Sequence, residues 1–279
     1  MLKQLARGAR NAVRATGLNV PPGHFYSPVS NSADRARQVA VDAKESTSGV
    51  DVNEASQLAL VGELRPHAAN FAPKRWSEDD RNSMFGREDA IVLFGLLSLF
   101  RPRQIVEVGS GYSTAVMLDA AEATGSTWSI TCIEPYPQRL NSLLRPGDDP
   151  EIIVAPVQDV PMGRFTDLGA GDLLFIDSTH VAKAGSDVLH LLLEVLPRLH
   201  PGVLVHVHDI FWPFSYRPEW LAEGRDWTEA YLLRALLTEN PRWEILLFSD
   251  WLSRTHPAEA EALFPGGADR PGSIYLRRR

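Results

Sequence analysis

From Asp89 onward, short apolar segments alternate with helical stretches, and this alternation leaves the chain very few folds. An apolar helix over 90–100 is stopped at Arg101-Pro102, because proline disfavours helical geometry in the residue before it. Strands are expected at 104–108, 128–133, 151–155, 172–176 and 203–207, with helices at 113–123, 138–144 and 186–199 between them. Strands joined through helices pair in parallel, since each return crosses over a sheet face. The near-continuous apolar runs at 173–176 and 203–205 suit strands covered on both faces. Two further strands, 244–248 and 273–276, complete a doubly wound, Rossmann-like α/β sheet of seven mostly parallel strands.

Before this region the pattern weakens. Residues 1–85 carry many helix breakers and read as an N-terminal helical and extended arm or cap, with 86–279 as the main domain. Short helices fit 34–44 and 53–64, and the proline-rich stretch 20–28 is extended or turning. Lys3, Arg7, Arg10 and Arg14 suggest a basic surface helix, with no apolar signal-peptide core behind them.

Composition narrows the partners. Among 279 residues, 44% are hydrophobic and 23% charged, enough for a packed core. The net charge of −7 disfavours nucleic acid as a partner. The longest apolar run, 91–100, is well short of the roughly 20 residues that span a bilayer. The single cysteine, Cys132, excludes an internal disulfide and a cysteine-based zinc cluster, and a reducing cytoplasm fits it. A homo-oligomer remains open.

Ligands of such sheets bind outside the carboxyl ends of the strands, near the point where strand order reverses. There the first strand runs Ile105-Val106-Glu107-Val108 into the turn Gly109-Ser110-Gly111. A dinucleotide fingerprint wants a third small residue at 114, where Thr114 stands instead. Glu107, two residues before the first glycine, suits the ammonium of a methionine moiety better than a diphosphate. Glu134, at the tip of the second strand, can accept both hydroxyls of a ribose. The tips of the fourth and fifth strands bring Asp177, His180, His208 and Asp209 to the same edge.

The segments E-V-G-S-G-Y-S-T, I-E-P and F-I-D-S-T-H resemble the class I methyltransferases, and more narrowly the bacterial methyltransferase family 24 group. His24 to Pro28 and Val205 to Phe214 also look like that group. The resemblance implies S-adenosylmethionine as cofactor. Glu107, Gly109, Ser110 and Gly111 would lie at its methionine end, Glu134 at the ribose, Gln158 and Asp159 at the adenine, and Asp177 beside them. It also implies methyl transfer to a small-molecule acceptor, with a hydroxyl as the expected atom.

Two chemistries remain open at the far end of the site. In one, Asp177, His208 and Asp209 hold a divalent cation, magnesium or manganese, while His180 takes the acceptor proton. In the other there is no metal, and His180 or His208 alone is the base. His206, deeper in its strand, reads as a buried structural histidine. The aromatic stretch 211–220 reads as a lid or wall for a sugar-like or aromatic acceptor, faced by Phe25 and Tyr26. Competing readings are a nicotinamide-dependent oxidoreductase, a metal-dependent hydrolase and a non-catalytic scaffold.

Overall fold

A computed structural model of the chain describes residues 27–44, 47–77, 82, 84–266 and 270–279. The expectations for the basic N-terminal helix, for most of the proline-rich stretch and for Phe25 and Tyr26 lie outside these residues.

Contacts divide the chain into two units. The smaller comprises residues 1–46 and 216–226, the larger 47–215 and 227–279. In the smaller unit, helix α1 (Ser32–Asp42) starts at a capping box, with the Asn31 side chain accepting from the backbone of Ala33 and Asp34. A short helix in the same unit, Pro218–Ala222, carries Trp220 between the guanidinium groups of Arg217 and Arg225, 5.1 and 4.8 Å from its ring.

The larger unit opens with α2 (Glu54–Ala68), which packs on α3 (Arg87–Phe100). Helix α3 is buried from Glu88 to Ser98 and ends at Arg101 in the left-handed region, directly before Pro102. Next come β1 (Gln104–Val108), α4 (Tyr112–Thr124), β2 (Ser129–Ile133), α5 (Gln138–Leu143) and β3 (Glu151–Ile153). A 3-10 turn (Val157–Asp159) and α6 (Gly163–Thr166) lead to β4 (Leu173–Ile176). The predicted helix over 186–199 is a composite: α7 (Asp187–His190), a π turn (Leu191–Val195) and a 3-10 turn (Leu196–Arg198). Then follow β5 (Leu204–Val207), the Pro218–Ala222 helix as α8, α9 (Glu229–Leu237), β6 (Trp243–Phe248), α10 (Ser249–Thr255), α11 (Pro257–Leu263) and β7 (Ile274–Arg278).

The seven strands form one sheet in the order β3-β2-β1-β4-β5-β7-β6, with the first five parallel and β7 antiparallel to both neighbours. Strands β4 and β5 are buried along their whole length, as their unbroken apolar runs require. Strand order reverses between β1 and β4, so the crevice forms at the carboxyl ends of these two strands.

Candidate active site

Register alone brings the predicted tips together. Val108 of β1 pairs with Ile133 of β2 and with Ile176 of β4, and Ile176 pairs with Val207 of β5. The ladders then run one residue further. The amide of Glu134 donates to the Ile153 carbonyl, Gly109 to Ile133, Asp177 to Val108 and His208 to Ile176, at 2.8 to 3.1 Å. Glu134, Gly109, Asp177 and His208 thus lie in a row across one sheet edge.

Gly109 makes that row possible. Its φ is +80°, and a Cβ built there would lie 2.0 Å from the Asp177 carbonyl oxygen. Only glycine tolerates both the left-handed backbone and that approach.

A cleft of about 430 Å³ opens beside the row, within the range of small-molecule sites. Gly109, Glu134, Gln158 and Asp177 line it, four of the residues expected from the sequence. Ser110 acts behind the wall: its amide donates to one Glu134 carboxylate oxygen at 3.2 Å, while the Tyr136 amide donates to the other at 2.8 Å. Each Glu134 oxygen retains acceptor capacity for a ligand hydroxyl.

Other expected residues stand off the cleft. Asp159 is exposed and outside its wall, which splits it from Gln158. Gly111 borders the Arg139 side chain rather than the cleft. Glu107 is fully buried, its oxygens accepting from the Ser113 hydroxyl at 2.6 Å, the Thr114 hydroxyl at 2.5 Å and the Cys132 thiol at 3.4 Å. Burial outweighs these donors and pushes its carboxyl up to about 7. Glu107 pins the glycine turn to the first turn of α4. The cleft wall also includes Tyr136, Thr179, Lys183 and Asp187, which the sequence reading did not single out. Tyr136 was within reach, two residues after the I-E-P acid. Lys183 and Asp187 reach the cleft only through the path of the loop after β4.

His180, three residues after Asp177, has φ +59°, and Asp209 has φ +55°. A left-handed non-glycine residue costs about 1–2 kcal/mol, so both turns must be held by their surroundings. The His180 carbonyl accepts from the amides of Thr228 and Glu229 at 2.8 and 3.1 Å, and its amide donates to the Ser178 hydroxyl at 2.9 Å. Those α9 amides have no partner within their own helix, so the helix start and the β4 loop satisfy each other. The His180 ring lies over Trp227 at 4.4 Å.

Both nitrogens of that ring face carboxylates. Nδ1 is 2.9 Å from Oε2 of the buried Glu229; Nε2 is 3.4 Å from Asp177 Oδ1 and 3.6 Å from Asp209 Oδ2. Burial alone would lower its pKa, but Asp177 and Glu229 outweigh that and raise it well above the usual imidazole range. Asp177 is held below the usual carboxylate range: burial pushes it up, and His180, His208 and Arg139 push it down further. Glu229 is a site residue that sequence reasoning passed over as part of a helix start.

His208 is buried 5.1 Å from the Phe85 ring, with Nε2 3.8 Å from Asp209 Oδ1. Its Nδ1 has no hydrogen-bond partner among the described residues. His206 behind it is stacked on Phe175 at 3.9 Å, and neither ring nitrogen has a hydrogen-bond partner among the described residues. Burial holds the His206 pKa well below the ordinary range. No group of three or more His, Cys, Asp or Glu among the described residues is arranged to hold a metal ion. Of the expected set Asp177, His208 and Asp209, one oxygen from each aspartate faces the His180 ring. The aromatic wall also needs correction: Phe211, Trp212 and Phe214 are buried, with Phe214 and Trp212 packed on Phe248 at 5.2 and 6.0 Å.

Residues 106–210, which hold this whole row of strand tips, match methyltransferase family 24, described as "Methyltransferase domain". The chain is also 31% identical over 171 residues to an uncharacterized protein of Archaeoglobus fulgidus, covering 56% of this chain and 76% of that one. The chain belongs to this methyltransferase family. Among solved structures, the methyltransferase is similar to the SAH-bound Podospora anserina methyltransferase PaMTH1, at 19% identity and a TM-score of 0.46, over 90% of this chain and 98% of that one. It is also similar to the plantazolicin methyltransferase BpumL bound to a pentazolic desmethylPZN analog and SAH, at 14% identity and a TM-score of 0.45, over 82% and 98% of the two chains. No helix among the methyltransferase's described residues is long and apolar enough to cross a membrane.

Proposed function

We propose that this chain transfers a methyl group from S-adenosylmethionine to a hydroxyl of a small molecule. One observation carries the reading: Glu134, Gly109 and Asp177, three neighbours in the row of strand tips, line a single cleft at the reversal point of the sheet. The chemistry of the wall fits the cofactor. Glu134 offers two acceptor oxygens already oriented by backbone amides, as a ribose diol needs. Gln158 and the exposed Tyr136 flank the position of the nucleobase, and Gly109 leaves room at the methionine end.

When bound, the cofactor supplies the methyl group and its own leaving group. The protein supplies alignment and a proton acceptor. His180 is poorly placed to accept a proton, because both its nitrogens are engaged by carboxylates. His208 takes that role here: its Nδ1 has no hydrogen-bond partner among the described residues, and Asp209 steadies the positive ring once it is protonated. A proton acceptor at this edge is what points to a hydroxyl. The acceptor is proposed as a small molecule, in line with the acidic chain, and the single cysteine fits a reducing cytoplasm as the setting.

Thermal-shift titration with S-adenosylhomocysteine and with NAD tests the cofactor, and transfer from methyl-labelled S-adenosylmethionine to a panel of hydroxyl compounds tests the reaction. The reading expects stabilisation by S-adenosylhomocysteine alone and loss of transfer in His208→Ala. Stabilisation by NAD alone would overturn it.

A further inference from the structure

The strand tips carry a disagreement with the metal-assisted expectation. Asp177 and Asp209 offer acidic oxygens at adjacent tips, the arrangement that invites a divalent cation. Yet His180 Nε2 lies 3.4 Å from an oxygen of Asp177 and 3.6 Å from an oxygen of Asp209. The ring stands between them. It is held from behind by Glu229, itself inaccessible to solvent, and from one face by Trp227. The backbone of His180 is tied at both its amide and its carbonyl. Swinging the ring away would break the Glu229 contact, lose the Trp227 packing and leave Glu229 buried without its cationic neighbour, a costly state for a carboxylate.

We infer that the His180 side chain, anchored by Glu229, is a resident cation that fills the seat between Asp177 and Asp209 and makes a divalent metal unnecessary there. A nitrogen facing two carboxylates must present its hydrogen, and so must the nitrogen facing Glu229, so the ring donates on both sides and carries a positive charge. His208, Asp89 and Arg139 also act electrostatically on this cluster. Glu229 is on this view a positioning residue: it acts on the site through His180. The inference rests on the methyl-transfer reading only for the value of the seat to catalysis; occupancy of the seat can be tested without activity.

The test uses the full chain, dialysed against EDTA and titrated with manganese chloride under electron paramagnetic resonance. Wild type is expected to show no site in the micromolar range. His180→Ala, which empties the seat, is expected to gain manganese affinity by about tenfold or more, and adding Asp209→Asn should abolish the gain. Should His180→Ala fail to fold, nitrogen-15 NMR of the wild-type His180 ring decides: two protonated nitrogens at neutral pH support the inference, and a neutral tautomer overturns it. A micromolar manganese site in wild type that disappears in Asp209→Asn also overturns it. Calorimetry with S-adenosylhomocysteine on the same EDTA-treated protein reports separately on the cofactor reading: absence of heat there would remove the methyl donor while leaving the metal result to stand.

Discussion

Replacing Glu107 with glutamine removes an ionisable group that the fold buries completely, and the structure sets both the sign and the size of the result. The carboxyl ionises near 7 in the folded protein, where an exposed glutamate ionises near 4.5. Between those two pH values the folded chain keeps a proton that the unfolded chain has released. The raised carboxyl therefore contributes stability that is complete below about pH 4.5, falls as pH rises, and is lost above about 7. At ~1.4 kcal/mol per pH unit, the loss across this window is roughly 3 kcal/mol. Glutamine is neutral throughout and keeps a carbonyl for the Thr114 hydroxyl, while its amide can donate to the rotatable Ser113 hydroxyl. Urea unfolding of both proteins at pH 5, 6, 7 and 8 should show the variant gaining on wild type by roughly 2–3 kcal/mol across the series. The histidine cluster titrates in both proteins and cancels. Parallel stability curves would refute the claim that burial raises the Glu107 carboxyl.

Three further outcomes follow from the geometry. Gly109→Ala places a methyl group 2.0 Å from the Asp177 carbonyl, so the variant is expected to be insoluble or destabilised by several kcal/mol, as read by circular dichroism melting. Phe214→Ala empties a fully buried position against Phe248 and should cost about 3–5 kcal/mol in chemical denaturation; an unchanged stability with a raised acceptor KM would restore the acceptor-wall reading. Glu229→Gln, by weakening the anchor of His180, should lower kcat more than it raises the KM for the methyl donor; an equal effect on both would speak for a purely structural role.

Much of the fold was legible because it is written in local signals. Strand β1 falls at the predicted residues, and β2, β4 and β5 within one residue, since unbroken apolar runs bounded by glycine, proline and charge leave little choice. The helices at 249–255 and 257–263 were missed: the first begins directly at the end of β6, with no break between them to announce a new element. At the site, Glu134, Gly109 and Asp177 were readable because each terminates a strand, and strand ends of a parallel sheet share an edge. Glu229 was not, because it lies 49 residues from His180 and nothing in a helix start foretells which loop it will meet. Glu107 was identified as important but given an outward task; a carboxylate followed at six and seven residues by serine and threonine can be satisfied from within. The aromatic stretch after β5 misled for a different reason: aromatic density looks the same in a core as in a binding wall.

The most direct check of the central claim is calorimetric titration of S-adenosylhomocysteine into wild type and Glu134→Ala. The account predicts one binding event per chain in wild type and an affinity loss of about tenfold or more in the variant, with the fold retained. Equal affinity in the two proteins, or no binding to well-folded wild type, would contradict it.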